Sequence, residues 1–334
     1  MSSAFGEARL VKNTLDAEIA AAVERRTALP QSANAALRLF HGQADGVPGL
    51  VIEKFGPVLI AQLHDGQLQA DESDVRNACE RLCTQLGARA VYQKVFPTDR
   101  NTALRQLEKL HNDPQPWIGQ PVEPEFSIVE NGVRFLIRPY DGYSVGLFLE
   151  HRDSRRRVRE SSAGKRVLNL FAYTCGFSVA AALGGAAATD NVDASKKYLE
   201  WGKRNFAANR LALDSHRFFC DDVFSFLRRA KRQERFYDLA VVDPPTFGRQ
   251  KDAPRPFALT EDLDRLVAET VDRLSPGGVM LIAVNHRPTT LARLENTIRR
   301  ATAGRKCEIL DRPSLPVDFA GDPAFSKTVI ARLA

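Results

Sequence analysis

Residues 166–193 constrain the fold more than any other stretch of this chain. Val167, Leu168 and Leu170 form a short apolar run, as a strand covered on both faces does. Phe171 to Gly176 interrupts it, and Gly176 turns the chain into a helix through Ala180, Ala181, Ala182 and Leu183. Gly184-Gly185 ends that helix in the manner of a C-cap. A second apolar segment, Ala186 to Val192, closes at Asp193, about twenty residues beyond the first turn. The pattern is a βαβ unit with a carboxylate at the end of its second strand, the arrangement that holds a pair of ribose hydroxyls. A nucleoside-bearing cofactor is the expectation.

The loop narrows the choice. A dinucleotide site needs three spaced glycines so that backbone can approach a pyrophosphate at a helix N-terminus. Phe171-Ala172-Tyr173-Thr174-Cys175-Gly176 keeps only the last of them, and bulky side chains stand in the approach. The phosphate-cradling motif that ends in Gly-Lys-Ser/Thr is absent. A cofactor without phosphate, such as S-adenosylmethionine, fits better.

The alternation continues downstream. Arg217 to Cys220 reads as a strand ending at Asp221-Asp222, Val223 to Arg232 as a helix, and Phe236 to Val242 as a strand ending at Asp243-Pro244-Pro245. Leu263 to Leu274 is helical, Ser275-Pro276-Gly277-Gly278 turns, and Val279 to Val284 is a strand ending at Asn285-His286. Leu291 to Ala303 is a helix and Ser326 to Arg332 a last strand. Alternating strands and helices imply a doubly wound sheet that binds ligands at the carboxyl ends of its strands. Asp193, Asp222, Asp243 and Asn285 all fall there.

Upstream, Thr14 to Arg26 reads as an exposed helix. Short apolar runs at Leu37–Phe40, Leu50–Ile52, Val58–Ala61 and Ala88–Tyr92, with a helix from Asp71 to Leu86, form a smaller α/β domain. Asn131-Gly132 between two alternating runs marks a hairpin. The expected division is an N-terminal helical extension over 1–35, a small α/β domain over 36–124 with a possible RNA-binding role, and a larger domain over 125–334 that begins with the hairpin.

No stretch approaches the roughly 20 apolar residues of a membrane span, and the N-terminus lacks a signal-peptide pattern. The five cysteines show no paired spacing, so reduced thiols and a cytoplasmic location are expected, with no metal site. The net charge of +6 gathers in two clusters. Arg152, Arg155, Arg156, Arg157, Arg159, Lys165 and Arg166 form one, and Arg228, Arg229, Lys231, Arg232 and Arg235 the other. Each alone suits a solvated helix face; two clusters beside a nucleoside-type site favour a nucleic-acid partner.

These residues carry a family resemblance. Asn169 to Thr174, Val192-Asp193-Ala194-Ser195, Tyr198-Leu199-Glu200-Trp201 with Arg204-Asn205, Asp222, Asp243-Pro244-Pro245-Thr246-Phe247 and Pro276-Gly277-Gly278 resemble the class I S-adenosylmethionine-dependent methyltransferases that modify bacterial 23S ribosomal RNA. Gly146-Leu147-Phe148-Leu149-Glu150-His151-Arg152 matches that family's motif ahead of the cofactor domain. The resemblance covers residues 126–334 well and 37–92 more weakly. It implies a Rossmann-like methyltransferase domain joined to a smaller N-terminal α/β domain, and a substrate in 23S rRNA. Many relatives carry an N-terminal PUA domain, and the residues before Leu37 are too few for one. RNA affinity would then come from the central domain and the basic clusters.

The resemblance also implies site roles. Asp193 would bind the ribose hydroxyls, with Ser195 beside it, and Asp222 the adenine amino group next to the Val223 backbone, with Asp221 as rival. Phe171, Tyr173, Thr174 and Gly176 would cradle the methionine end, and Asp243 and Pro244 would border the cofactor. Relatives that methylate cytosine C5 use a cysteine nucleophile at the ends of the later strands, where this chain reads Thr246-Phe247 and Asn285-His286. The Asp-Pro-Pro-Thr-Phe form looks more like the branch that methylates guanine N7. In that reading Asp243 accepts a base N–H, Phe247 stacks on a flipped base, and Lys251 or Asn285 donates to guanine O6. The same motif suits exocyclic-amine methylation. A non-catalytic RNA-binding or ribosome-assembly factor on this scaffold is the alternative from another class.

Overall fold

The computed structural model describes residues 3–27, 36–98, 104–248, 255–302 and 306–333. They divide into two compact units, Met1–Leu149 with Val317–Asp322, and Glu150–Pro316 with Pro323–Ala334.

The first unit opens with helix α1 (Ser3–Thr27) and a five-stranded sheet in chain order: β1 (Ala36–His41), β2 (Leu50–Phe55), β3 (Val58–His64), β4 (Ala90–Phe96) and β5 (Ile118–Gly119). β3 and β4 are parallel, because helix α2 (Glu72–Gln85) crosses between them; the other pairs are antiparallel. Ile19 and Val23 of α1 and Val75, Cys79 and Leu82 of α2 pack on Leu39, Ile52, Leu59 and Val91. Helix α3 (Leu104–His111) follows β4. A buried charge network closes this unit and recruits the segment from late in the chain. Arg38 donates to Glu53 at 2.7 and 3.1 Å, and the Arg38 backbone N–H donates to Asp318 Oδ2 at 2.9 Å. The Arg26 guanidinium donates to the Asp318 carbonyl at 2.9 Å and pairs with Asp45 at 2.7 Å.

The hairpin expected from Asn131-Gly132 is β6 (Phe126–Glu130) with β7 (Val133–Ile137). Asn131 and Gly132 have φ of 49° and 78°, the two left-handed residues of a type I′ turn. By its contacts the hairpin belongs to the first unit, whereas the expected boundary at 124 grouped it with the larger domain. Phe126 and Ile128 lie against Gly56 in the β2–β3 turn, which accounts for the difference.

The second unit is the doubly wound domain. Its strands are β8 (Arg166–Leu170), β9 (Ala188–Asp193), β10 (His216–Cys220), β11 (Tyr237–Val242), β14 (Leu274–Val284), β15 (Cys307–Asp311) and β16 (Lys327–Leu333). They lie in the order β10-β9-β8-β11-β14-β16-β15. The first five are mutually parallel, and β16 runs antiparallel to both its neighbours. The chain starts at β8 in the middle, winds out to β10, then returns past β8 to β11. That places the topological switch point, where such sheets bind ligands, at the carboxyl ends of β8 and β11.

Helices α4 (Arg152–Glu160), α5 (Gly176–Leu183), α6 (Lys196–Ala208), α7 (Val223–Arg232), α8 (Leu259–Val271) and α9 (Leu291–Ala301) cover the sheet. The uninterrupted apolar runs are explained by burial on both faces. Val167, Leu239 and Leu281 join a cluster with Val158 of α4 and Phe177 and Ala181 of α5. Leu168, Leu170, Ala240, Val242 and Ile282 face a cluster with α7, α8 and α9. Short strands β12 (Phe247–Gly248) and β13 (Phe257–Ala258) form an antiparallel ribbon after β11.

The structure adjusts three expectations. Helix α8 begins at Leu259 and ends at Val271, not Leu274. Residues 275–278 form a bulge within β14, between the pairings Tyr237 with Leu274 and Leu239 with Val279, and Gly277 takes a φ of 74° there. The middle of β9 is polar and buried: the Asp190 carboxylate takes two hydrogen bonds from Arg217, at 2.7 and 2.8 Å, and one from the Tyr237 hydroxyl at 2.6 Å. Among the described residues no helix is long and apolar enough to cross a membrane, and no group of three or more His, Cys, Asp or Glu is arranged to hold a metal.

Gly202 lies in α6 where the helix meets the loop after β8. A Cβ there would stand 2.4 Å from Cys175 Sγ and 3.0 Å from its Cβ. Glycine to alanine inside a helix ordinarily stabilises by about 1 kcal/mol. At this contact overpacking reverses the sign, at a cost of about 1–3 kcal/mol. Gly202→Ala is expected to lower the unfolding temperature in scanning calorimetry; an increase would refute the close packing.

Candidate active site

The loop leaving β8 is strained. Phe171, Tyr173 and Cys175 have φ of 57°, 49° and 60°, a region that residues with side chains seldom enter. Hydrogen bonds hold it there. The Ala172 N–H donates to the Val192 carbonyl at 2.9 Å. The Tyr173 N–H donates to Asp193 Oδ2 and the Ser195 N–H to Asp193 Oδ1, both at 2.8 Å. Asp193 thus ties the loop after β8 to the turn after β9. Burial lifts its carboxyl above the usual range, and the two backbone N–H groups pull it back. A carboxylate offers about four acceptor sites, so lone pairs remain for further donors.

Neighbouring side chains complete this wall. The Tyr173 ring meets Tyr198 edge-on at 4.5 Å, and Phe171 packs against Phe257 at 5.1 Å. Thr174 is buried, and its carbonyl accepts from Asn205 Nδ2 at 2.9 Å. Gly176 is the first residue of α5, and Ser195 caps α6 by accepting the Tyr198 N–H. Asp222 caps α7 through Oδ1, which accepts the Ser225 N–H at 2.8 Å; Oδ2 takes no hydrogen bond among the described residues. Its rival Asp221 is committed elsewhere: it accepts the Asp222 N–H and pairs with Arg229 at 2.6 Å. Val223 is buried directly after.

The other wall follows β11 and β14. Asp243 Oδ2 lies 3.1 Å from His151 Nε2. Asn285 Nδ2 donates to Glu150 Oε1 over a long 3.5 Å, and the Thr246 hydroxyl donates to the Asn285 carbonyl at 3.3 Å. Pro244 is buried, whereas the Phe247 ring on the β12–β13 ribbon is 68% exposed, the largest value among the exposed large apolar side chains. Lys251 lies outside the described residues. Sequence reasoning assigns Glu150 and His151 no role; the available signal is a histidine and a carboxylate amid apolar residues just before a basic helix.

Two other expectations take shape here. Cys175 is fully buried, and burial raises its thiol well above the usual range, with Asp193 adding to the effect. It is inert as a nucleophile. The basic clusters are largely engaged within the fold. Arg152 and Arg155 are buried, Arg156 pairs with Glu160 and Arg157 with Asp311. In the second cluster Arg229 pairs with Asp221, Lys231 with Asp272 and Arg235 with Asp190.

Burial opposes the charged form of His151, but the Asp243 carboxylate, joined by Glu150, outweighs it and raises the imidazole above its ordinary 6.5; Arg155 pulls the other way. A raised histidine adds stability that is complete below the unfolded value and fades as pH climbs through the folded one. In Asp243→Asn the main opposing charge is gone and burial prevails. The His151 titration, followed by NMR of the ring, is expected to move from above 6.5 to below it. An unchanged midpoint would refute the pairing.

The family model described as S-adenosylmethionine-dependent methyltransferase matches residues 37–331. Ribosomal RNA large subunit methyltransferase K of Neisseria meningitidis is 40% identical over 195 residues, which are 58% of this chain and 53% of that protein. A provisionally assigned ribosomal RNA large subunit methyltransferase of Bacillus subtilis is 31% identical over 293 residues, 87% of this chain and 71% of that one. The chain therefore spans about half the length of the first relative. A solved structure, provisionally assigned as a methyltransferase and complexed with S-adenosylhomocysteine, superposes with a TM-score of 0.77 at 29% identity, over 90% of this chain and 75% of that one. Together with the carboxylate at the end of β9 and the switch point beside it, the match across residues 37–331 means that the chain belongs to the S-adenosylmethionine-dependent methyltransferases.

Proposed function

We propose that this chain methylates a base of RNA, with large-subunit ribosomal RNA as the substrate and guanine N7 as the acceptor atom. The observation that carries the reading is the pairing of a carboxylate and an exposed ring: Asp243, on the rim of β11, is followed four residues later by Phe247, 68% exposed. An aromatic face in water, four residues along the chain from an acceptor, suits a base taken out of its stack, which ring stacking and an edge-directed hydrogen bond can hold. The RNA substrates named for the relatives are in keeping with that.

S-adenosylmethionine supplies an electrophilic methyl group on a sulfonium. On the cofactor side Asp193 has acceptor sites left for ribose hydroxyls, beside Ser195. Asp222 Oδ2 can accept from the adenine amino group, next to the Val223 backbone. The backbone of Phe171, Tyr173, Thr174 and Gly176 forms the cradle for the methionine end, with Asp243 and Pro244 as its border. The loop carries no glycine-rich phosphate site, which agrees with a cofactor lacking phosphate.

Guanine N7 bears an exposed lone pair in its neutral form. In-line attack on a methyl group then needs alignment and no general base. Asp243 accepts a base N–H, and Phe247 stacks. Glu150 takes one amide hydrogen of Asn285; the second is left for an acceptor such as guanine O6, a role Lys251 could share. Cytosine C5 chemistry is less suited, because it needs a thiolate and Thr246-Phe247 and Asn285-His286 hold the strand ends instead.

Labelled methyl transfer to unmodified large-subunit RNA, followed by digestion to nucleosides, tests the reading. Wild type is expected to label guanosine at N7. Asp243→Ala should lose about 10²-fold or more in rate. Phe247→Ala should raise KM for RNA about tenfold through lost stacking. Asp193→Ala should abolish cofactor binding in calorimetry. Label on cytosine C5 or an exocyclic nitrogen would overturn the atom assigned. Cofactor binding with no label in RNA would overturn the substrate and favour a non-catalytic role.

A further inference from the structure

The residues before α4 fold as a single 3-10 turn, Leu149–His151. Glu150 and His151 are 7% and 4% exposed, so neither is placed to touch a substrate, yet each reaches a strand-end polar residue. His151 Nε2 meets Asp243 Oδ2 at 3.1 Å, and Glu150 Oε1 meets Asn285 Nδ2 at 3.5 Å. Asp243 and Asn285 follow β11 and β14, which are adjacent and paired up to Val242 with Ile282. The Phe177 ring of α5 backs His151 at 5.5 Å between centroids. The dipeptide thus links two neighbouring strand ends.

The contrast in exposure sets the division of roles. The Asp243 side chain is 22% accessible and that of His151 5%. A donor on one carboxylate oxygen fixes the rotation of the group and leaves the other oxygen's direction determined. We infer that His151 is a positioning residue: it holds the Asp243 carboxylate in the orientation that accepts the base N–H, while Glu150 anchors the same turn to Asn285. This rests on the reading of Asp243 given above.

The geometry explains why a histidine serves here. Its ring packs against Phe177, and an imidazole can donate from Nε2 whether neutral or charged, more strongly when charged. Burial disfavours the imidazolium, but the charges of Asp243 and Glu150 favour it and Arg155 opposes it. The contact therefore survives in either protonation state.

The test uses the full-length protein and compares His151→Gln, His151→Ala, Asp243→Asn and the double variant His151→Ala with Asp243→Asn. His151→Leu, which fills the space without a donor, replaces the alanine variant if that one does not fold. Cofactor affinity by calorimetry is expected to remain at the wild-type level in the His151 variants. His151→Ala should lower kcat on the order of 10²-fold with little change in KM for RNA. His151→Gln keeps a donor in place and should recover most of that loss. The double variant should be no slower than Asp243→Asn alone, because His151 acts only through that carboxylate. Additive losses, or wild-type kcat in His151→Ala while Asp243→Asn is slow, would overturn the inference and leave the role of Asp243 standing. Wild-type kcat in Asp243→Asn would overturn that role and the inference with it.

Discussion

Asp193 is the joint on which the cofactor side of the second unit depends. Its two oxygens accept backbone N–H groups from Tyr173 and Ser195, one in the loop after β8 and the other in the turn after β9. Phe171, Tyr173 and Cys175 adopt left-handed backbone, a conformation that costs of order 1 kcal/mol or more at each such residue. It persists because the surroundings over-determine it. The Ala172 N–H is satisfied by Val192, the Thr174 carbonyl by Asn205, and Cys175 is pressed against Gly202. A loop with bulky side chains does by strain and hydrogen bonding what glycines do in dinucleotide sites by conformational freedom.

Charge is handled in the same inward way. A chain of net charge +6 suggests an open basic surface, but much of each cluster is matched within the fold. Arg157 faces Asp311, Arg229 faces Asp221, and Arg217 and Arg235 converge on buried Asp190. Exposed pairs of this kind are worth little individually. Asp190 is different, being almost wholly buried with Tyr237 and two guanidinium groups around it, so removing its partners would strand a charge. For recognition of a polyanion, net charge is therefore a poorer guide than the arginines whose partners are solvent-exposed and readily exchanged.

What the sequence made legible was local and periodic. The strand run Val167-Leu168-Leu170, the hairpin at Asn131-Gly132 and the helix that follows Asp222 all follow from rules that act over a few residues. So did the strand-end placement of Asp193, Asp222, Asp243 and Asn285, since in a doubly wound sheet those ends are shared. Long-range pairing stayed hidden. Nothing in the order of residues says that Arg38 and Arg26 hold Asp318, a partner 280 residues or more away. The bulge at residues 275–278 reads as a turn because Pro-Gly-Gly is turn chemistry, although the flanking residues pair with one strand. The contacts of Glu150 and His151 were equally out of reach, because their partners lie 135 and about 90 residues downstream in sequence, respectively.

The two walls of the site differ in a way that follows from their chemistry. The β8–β9 wall is built from backbone and one carboxylate that two backbone N–H groups hold in place, a rigid frame that suits a ligand of fixed shape. The β11–β14 wall is built from side chains, Asp243, Asn285 and Phe247, and side chains on loop ends need support to hold a direction. If the acceptor is already nucleophilic, as in the proposed N7 reaction, alignment is the main contribution a protein can make. Support then matters as much as the residues that touch the substrate. The buried turn Leu149–His151 contacts two of these three residues, while the third, Phe247, sits on the β12–β13 ribbon. A stacking ring tolerates that freedom, since a π-face accepts a base over a range of angles. In the proposed reading Asp243 must meet one N–H and has no such freedom, and its Oδ2 is the oxygen that lies 3.1 Å from the buried His151 Nε2.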